Sequence, residues 1–311
     1  MTVVFEDALA DYLALRHRLG HKLADAERVL NRFVVHLQQL DAKTITMDAA
    51  LEFILDPALD PASTNPSRRL QAVRGFSRYL AGIDPATQIP PAGIVSYRAQ
   101  RRQPYLFTDG EIDLLMTTAA ASAITNQRAV MLNTMVGLLA VTGMRVGEAI
   151  RLTDADIDTD VAVITIRETK FGKSRQVPVT TSTIDALTSW MAIRDRTTPT
   201  LVCSRVFVSG SGTPVAYTHF GLTFRRAITT AGIGDPAPVL RPRIHDLRHS
   251  FAVRTLIGWH RNGNDVAAML PRLSTYLGHR EPRYTYRYLT ASPELLGHAA
   301  RLLEADQAVK R

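Results

Sequence analysis

The sequence predicts a mainly α-helical protein that carries one small antiparallel β-sheet and folds as two domains. Three observations lead to this prediction. The chain of 311 residues is long for one domain, and 46% of its residues are hydrophobic, which is enough for buried cores. Apolar residues recur at helical spacing in segments such as 23–40. Two runs of alternating apolar and polar residues, 161–167 and 174–180, flank a polar turn and predict a β-hairpin.

Four helices are expected in the N-terminal part of the chain. The first ends at Gly20, a residue type that often caps helices, and the second covers the apolar stripe of KLADAERVLNRFVVHLQQL. Thr46 opens the third helix. The fourth has Asn65 as its N-cap and Pro66 at its first helical position, and it stops at Gly82. These helices predict a small bundle in which no chemistry is visible.

A segment rich in proline and basic residues separates this bundle from the rest of the chain. We assign residues 1–95 to the first domain and 96–106 to the linker. The second domain covers 107–311 and ends in a helix over 293–308. The basic residues of the linker are Arg98, Arg101 and Arg102. Such runs are usually solvated tethers, but between a helical module and a basic domain they can also follow a phosphate backbone.

The second domain is expected to combine helices with short strands. A helix in TDGEIDLLMTTAA precedes a buried helix that ends in AVTGMRVGEAIRL. After the hairpin, SRVFVS at 204–209 predicts a third short strand, and helical segments follow towards the C-terminus. We therefore expect a helical domain with a small sheet.

The charge of the chain points to a polyanionic partner. The formal net charge is +8, with 37 Lys and Arg against 29 Asp and Glu. Residues 1–95 carry 10 basic and 11 acidic side chains, whereas residues 96–311 carry 27 and 18, so the whole excess lies in the second part. Arginine outnumbers lysine by 32 to 5. This ratio suits bidentate contacts with nucleic-acid phosphates, or it reflects a GC-rich genome.

Cysteine usage and the absence of targeting signals indicate the expected location. The single cysteine, Cys203, excludes an internal disulfide and suits a reducing compartment. The first residues lack the basic region of a signal peptide, and the longest apolar segment is too short to span a bilayer. We expect a soluble, intracellular protein without membrane association.

The segment RIHDLRHSF, residues 243–251, raises a choice between a zinc site and a site for an anion. On a helix, His245 and His249 would share a face. A metalloprotease helix carries glutamate directly after its first histidine, but Asp246 occupies that position, and Arg248 would bring a positive charge to the metal. The sequence offers no evident third ligand, so we predict no metal site.

Several basic and aromatic residues together form a set suited to phosphoryl transfer without a metal. Arg145 follows a glycine-marked turn after a buried helix, where either an anion or an ion pair with Glu148 would compensate its charge. Lys170 lies in the hairpin turn. LGHREPRYTYRYL adds a histidine and three tyrosines: His279, Tyr284, Tyr286 and Tyr288. Together with His245 and Arg248, these residues supply a nucleophile, proton donors and cations.

In order and spacing, these segments resemble the tyrosine recombinase (phage integrase) family over residues 107–290. TGMRVGEAIRL is similar to its first-arginine box, TKFGKSRQVPV to its lysine hairpin, and HDLRHSFA to its H-x-x-R box. LGH is similar to the following histidine box, and nine residues after its histidine comes a tyrosine at the position of the family's nucleophile. Five boxes in this order form a specific signal.

The resemblance implies an N-terminal helical core-binding (SAM-like) domain and a C-terminal tyrosine-recombinase catalytic domain. The catalytic residues that it implies are Arg145, Lys170, His245, Arg248, His279 and the nucleophile Tyr288. The DNA-binding residues that we predict are Arg98, Arg101, Arg102, Lys173 and Arg175. Lys173 remains an alternative to Lys170. Tyr284 shares a helix face with Tyr288 and is the alternative nucleophile. His249 is expected to be structural.

The implied activity is site-specific recombination of double-stranded DNA through a 3′-phosphotyrosyl intermediate, for integration, excision or transposition of a mobile element. No cofactor is implied, because the covalent bond conserves the energy of the phosphodiester. The implied partners are DNA and either further copies of the chain, as a tetramer in synapsis, or related recombinases. The C-terminal helix then docks on a neighbouring copy or on its own domain. The alternatives are a nicking-closing enzyme like type IB topoisomerases and a non-cleaving DNA-binding protein of the same fold.

Overall fold

The folded chain consists of two units, each with its own hydrophobic core. A computed structural model of the protein describes residues 4–21, 23–56, 66–95, 103–167, 174–198, 203–234, 241–279, 281–289 and 297. Contacts within the chain divide it into Met1–Arg101 and Arg102–Arg311. The described structure is mainly helical with one small antiparallel sheet, so the predicted fold class is confirmed. Within those ranges, no helix is both long and apolar enough to cross a bilayer.

The first unit contains the four predicted helices. They are α1 (Phe5–Arg18), α2 (Ala24–Gln39), α3 (Met47–Leu55) and α4 (Pro66–Leu80). The apolar stripe of α2 is buried, with Leu30, Phe33 and Leu37 inaccessible to solvent. Gly20 takes a left-handed conformation after α1, and the Thr46 hydroxyl caps α3 by accepting a hydrogen bond from the Ala49 amide at 3.2 Å. Asn65, the predicted cap of α4, lies outside the described residues.

The second unit is built around the buried helix α6. Its helices are α5 (Asp109–Ala121), α6 (Asn126–Thr142), α7 (Val146–Arg151), α8 (Thr181–Thr197), α9 (Tyr217–Thr230), α10 (Ile244–Arg261), α11 (Val266–Leu277) and α12 (Arg283–Tyr286). Leu132, Met135 and Leu139 of α6 lie in the main core. A separate apolar cluster joins α10 to α11 and also contains Tyr288. Apart from residue 297, the predicted C-terminal helix over 293–308 falls outside the described residues.

The sheet of the second unit has three antiparallel strands in the order β1–β2–β3. They are β1 (Ile157–Asp158), β2 (Val163–Ile166) and β3 (Arg175–Pro178). In the β2–β3 pair Val163 faces Pro178 and Ile166 faces Arg175, so the predicted hairpin is confirmed, with shorter strands. Ile164, Ile166 and Val177 point into the core. The hairpin turn, residues 168–173, lies outside the described residues.

The prediction of a third strand at 204–209 was wrong. This segment forms only isolated bridges, between Thr153 and Arg205 and between Val208 and Pro214. Its three central residues, Val206, Phe207 and Val208, are all buried, so the apolar run fills the core rather than one face of a sheet. Its backbone bonds to loops instead, and the Val206 carbonyl accepts a hydrogen bond from the Trp190 indole at 2.8 Å.

Gly143 ends α6 and determines how the chain turns into α7. Its φ of 60° lies in the left-handed region, and its amide donates to the Leu139 carbonyl at 3.0 Å. A Cβ atom at this position would lie 2.5 Å from Cδ1 of Phe251 on α10. The turn therefore requires glycine, both for its backbone conformation and for the close approach of α10.

We predict that Gly143→Ala destabilises the second unit. The left-handed conformation costs a residue with a Cβ about 1–2 kcal/mol, and crowding against Phe251 adds to that loss. Both tryptophans, Trp190 and Trp259, lie in this unit, so urea unfolding followed by tryptophan fluorescence measures its stability.

Gly147→Ala is the matched control. Gly147 lies within α7, and an added Cβ would meet only the flexible end of Arg151, at 3.4 Å. Alanine there is expected to be neutral or to stabilise by about 0.5–1 kcal/mol. Equal midpoints for Gly143→Ala and the wild type would contradict the requirement for glycine at the end of α6.

Candidate active site

Arg248 is a buried cation held by the ends of two other helices. It lies on α10, is 2% exposed, and donates from Nη1 to the Gly143 carbonyl at 2.8 Å and from Nη2 to the Leu277 carbonyl at 2.6 Å. Gly143 follows α6 and Leu277 ends α11, so both acceptors lie where a helix carries partial negative charge. This contact brings together three helices that are distant in sequence.

Arg145 enters the same site from the turn between α6 and α7. Its Nη1 donates to Glu148 Oε1 at 2.8 Å, and its Nη2 donates to the Gly278 carbonyl at 3.3 Å. The ion pair with Glu148, one of the two interpretations of Arg145, is thus present in the structure. The Arg145 side chain remains 39% exposed, so it is also accessible to an anion.

Arg175, predicted as a DNA-binding residue, has an internal position. From β3 it binds Glu148 with both Nη atoms, at 3.2 and 2.8 Å, and its Nε donates to the Tyr276 carbonyl at 2.8 Å. Its side chain is only 9% exposed. Burial opposes ionisation of Glu148, but its bonds with Arg175 and Arg145 prevail and lower the Glu148 pKa to about 2.

The remaining predicted basic residues cannot be placed. Lys170 and Lys173 of the hairpin turn, and Arg98, Arg101 and Arg102 of the linker, lie outside the described residues. Their roles therefore stay predictions.

His279 is positioned by a glycine turn after α11. Gly278 has a φ of 67°, and a Cβ at this position would lie 2.7 Å from Nη1 of Arg175. The next residue, His279, forms a hydrogen bond between Nδ1 and the hydroxyl of the buried Thr285, at 2.8 Å. The hydrogen bond orients the imidazole towards the segment that carries Tyr288.

Tyr288 is the tyrosine that the structure brings into this site. Its ring is stacked on His279, with centroids 6.0 Å apart, and meets the His249 ring edge-on at 5.4 Å. The residue is 1% exposed, whereas Tyr284 and Tyr286 are 41% and 50% exposed. Among the described residues, the buried Tyr288 hydroxyl has no hydrogen-bond partner. The ring of Tyr284 also lies near His279, with centroids 6.3 Å apart, but Tyr284 remains at the surface.

Two neighbours of Tyr288 were not predicted as part of the site. His249 lies between His245 and Tyr288, 4.9 Å from the first ring and 5.4 Å from the second, and its buried Nδ1 has no partner in the described part of the chain. The guanidinium of Arg287 lies 5.5 Å from the centre of the Tyr288 ring. The spacing of His249 from His245 was a usable signal, because residues four apart on a helix are neighbours.

The three histidines of the site are held in their neutral form. Burial, followed by the charge of Arg248, lowers the pKa of His245 to about 4 and that of His279 to about 3. Burial, followed by His245, lowers the pKa of His249 to about 3. Burial, followed by Arg145, also lowers the pKa of Arg248, to about 10.

This arrangement is suited to binding an anion and to moving protons around it. Arg145 and Arg248 offer fixed positive charge, while neutral imidazoles can both accept and donate a proton near pH 7. Tyr288 supplies a hydroxyl oxygen at the same place. In the ranges that the structure describes, no cluster of three His, Cys, Asp or Glu side chains is arranged to hold a metal ion.

Comparisons with known proteins agree with this geometry. Residues 106–294 match the model of the phage integrase family. The protein y4rB of Sinorhizobium fredii, named as an integrase/recombinase, is 39% identical over 308 residues, which cover 96% of this chain and 97% of that protein.

Two solved structures share the fold. The XerH site-specific recombinase, bound to a palindromic difH substrate in a post-cleavage complex, has a TM-score of 0.65 at 19% identity, covering 90% of this chain and 79% of that one. The Tn1549 transposon integrase, in complex with circular intermediate DNA, has a TM-score of 0.64 at 17% identity, covering 97% and 100%.

The neutral histidines predict a loss of stability in mild acid. His245, His249 and His279 have folded-state pKa values below the value of about 6.5 expected in the unfolded chain. The unfolded state therefore binds more protons as the pH falls below about 6.5, and the free energy of unfolding decreases from there towards pH 4. Urea unfolding of the second unit at pH 7, 6 and 5, followed by tryptophan fluorescence, measures this slope.

His249→Gln provides the comparison. It removes one of the three histidines, so the decrease between pH 7 and 5 should be smaller than in the wild type. A wild-type stability that stays constant or rises as the pH is lowered would show that these histidines are not held neutral.

Proposed function

The chain belongs to the phage integrase family of tyrosine recombinases, and from this premise we propose that it cuts and rejoins DNA through a covalent bond between Tyr288 and a 3′-phosphate. One observation carries the proposal. Two arginines, two histidines and a tyrosine from separate boxes of the sequence converge on one site: Arg145, Arg248, His245, His279 and Tyr288. The protein is accordingly an enzyme of the site-specific recombinase type.

In the proposed cleavage step, the Tyr288 oxygen attacks the phosphorus of a DNA phosphodiester. A bond forms between phosphorus and this oxygen, and the bond from phosphorus to the 5′-oxygen breaks. The tyrosine proton passes to neutral His245, and Lys170 donates a proton to the departing 5′-oxygen. Rejoining is the reverse reaction with a new 5′-hydroxyl. The phosphotyrosine retains the energy of the phosphodiester, so the step consumes no nucleotide cofactor.

Arg145 and Arg248 would hold the non-bridging oxygens of the scissile phosphate, where negative charge increases in the transition state. Two backbone carbonyls use two of the five N–H donors of Arg248, which leaves donors for a phosphate. His279 would donate a further hydrogen bond, oriented by the bond of its Nδ1 to Thr285.

The charge of a bound phosphate would also change the pKa values of His245 and His279. After burial, the charges of Arg248 and Arg145 are among the causes that lower the pKa of His245 and His279. A phosphate between these arginines compensates their charge, so it raises the basicity of both histidines. In this proposal His245 becomes a competent proton acceptor only when DNA is in place.

The nucleophile would have to move before it attacks. Tyr288 belongs to an apolar cluster with residues of α10 and α11, and at 1% exposure its hydroxyl is out of reach of a DNA backbone. A buried hydroxyl without a hydrogen bond is unfavourable by about 1–3 kcal/mol, so this buried position is held by contacts of the ring and not by its hydroxyl. DNA binding would shift Tyr288 towards the phosphate.

The surface next to the site fits double-stranded DNA. A cleft of about 1390 Å³ runs from Arg145 and His245 past α9, and Arg225, Arg241 and Arg243 add positive charge to its lining. Arginines at such a surface position a protein on the phosphate backbone. Four copies of the chain, alone or with related recombinases, would act together on two DNA sites.

The relatives favour a role in DNA mobility. The similar protein y4rB is named as an integrase/recombinase, and a structure of similar fold is a transposon integrase with circular intermediate DNA. We therefore assign the protein to integration, excision or transposition of a mobile element, in the bacterial cytoplasm where the nucleoid lies.

We predict that the protein forms a covalent adduct with DNA at Tyr288. The full chain is incubated with sheared DNA from its own locus, the reaction is stopped with SDS, and nucleotide-linked peptides are mapped by mass spectrometry. Tyr288→Phe should reduce the adduct below detection, because the attacking oxygen is lost. Tyr284→Phe, which changes a surface tyrosine of the same segment, should keep it.

Three other results would change the assignment. An adduct on Tyr284 would transfer the nucleophile to the alternative tyrosine. Intact DNA binding without any adduct would support a non-cleaving DNA-binding protein. Relaxation of supercoiled plasmid without strand exchange between two copies of the mapped site would support a nicking-closing enzyme.

A further inference from the structure

Arg287 directly precedes the nucleophile and covers its ring. It is exposed, and its Cζ lies 5.5 Å from the centroid of the Tyr288 ring. A guanidinium within about 6 Å of a ring centroid attracts the electron-rich face of that ring. The contact therefore joins a permanent positive charge to the residue that forms the covalent bond in the proposed function.

The charge of Arg287 acts on the whole site. It is among the causes, after burial, that lower the pKa of His245, His249 and His279. Those histidines come from α10 and from the turn after α11. Arg145, Arg243 and Arg248 are further causes, so Arg287 is one of four arginines whose charge acts on these histidines.

We propose that Arg287 is a positioning residue that acts through Tyr288: its guanidinium stays over the ring and favours the phenolate that attacks the phosphate. The inference rests on the proposed function, because it requires Tyr288 to be the nucleophile. Tyrosine ordinarily ionises near pH 10, so attack near neutral pH needs help from positive charge. Arg287 supplies that charge on the ring itself, while the proton still leaves to His245.

Arg248 also interacts electrostatically with Tyr288, but Arg287 is the cation that lies over its ring. On α10 the Tyr288 ring contacts His249, and after α11 it stacks on His279. The histidines are neutral near pH 7, as argued above. Arg248 is tied to two backbone carbonyls and directed at the phosphate. Tyr284 of α12 adds no charge at this pH.

The chain contains a matched control for Arg287. In RYTYRY, residues 283–288, an arginine precedes a tyrosine twice. Arg283 lies 5.4 Å from the centroid of the exposed Tyr284 ring and forms an ion pair with Glu281 at 2.5 Å. Arg283→Gln therefore removes the same charge and the same kind of ring contact from the same segment, but at a tyrosine that has no role in the reaction.

An ordinary DNA-binding role for Arg287 makes a different prediction. A phosphate-contacting arginine weakens DNA affinity when replaced and reduces the salt dependence of binding by about one unit of slope. Replacing such an arginine leaves the rate of cleavage unchanged when all of the DNA is bound. A residue that acts through the nucleophile changes that rate and its dependence on pH.

The experiment measures covalent complex formation by the full chain under single-turnover conditions, with protein saturating the DNA site mapped for the wild type. Rates are recorded from pH 6 to pH 10 for the wild type, Arg287→Gln, Arg287→Lys and Arg283→Gln. We expect Arg287→Gln to shift the midpoint of the pH profile upwards by about one unit, and to slow cleavage about tenfold near pH 7. Arg287→Lys should recover most of the rate, and Arg283→Gln should match the wild type.

A wild-type profile for Arg287→Gln would overturn the inference, and so would a defect in Arg287→Gln that disappears at saturating protein. Equal defects in Arg287→Gln and Arg283→Gln would overturn it too, because they would reflect general charge. Each of these results leaves the proposed function intact, since Tyr288→Phe would still abolish the adduct. An adduct that survives Tyr288→Phe would instead refute the proposed function, and this inference with it.

Discussion

The placement of every group in the candidate site depends on the guanidinium of Arg248. It is a permanent charge in the interior, which is unfavourable unless it is compensated. The compensation comes from the carbonyls of Gly143 and Leu277, at the C-terminal ends of two helices. Arg145 lies two residues after the first carbonyl, and His279 lies two residues after the second. One side chain on α10 therefore sets the distance between the two boxes that bind the anion.

Around this anchor the site balances positive charge with one buried carboxylate. Glu148 binds Arg145 and Arg175, which ties the first box to the hairpin. A single carboxylate does not compensate the charge of Arg145, Arg175 and Arg248 together, so the site keeps a positive potential. That potential attracts an anion and is, after burial, the second cause that keeps His245 and His279 neutral.

The sequence was sufficient for those parts of the molecule whose signal is local or belongs to a family pattern. The helices and the hairpin follow from periodicity, and the catalytic boxes follow from their order along the chain. The strand prediction at Val206–Val208 was wrong, because a short run of apolar residues has the same sequence pattern in a strand as in a buried irregular segment. The pairing of Arg175 with Glu148 joins residues 27 positions apart, and the burial of Tyr288 depends on how α10 and α11 pack. Neither has a local signal.

The two glycine turns, at Gly143 and Gly278, have a consequence for genetics. Neither residue has a functional group, yet each makes room for a side chain from another box: Phe251 at the first and Arg175 at the second. Random mutagenesis scored only by recombination would rank both glycines with the arginines and the tyrosine. Substitutions of these glycines would be recorded as losses of catalytic residues. The actual defect would be that the segments carrying the catalytic residues can no longer pack closely together. A map of the positions that do not tolerate substitution therefore marks the catalytic residues of this chain and also the glycines that let the segments around them pack closely.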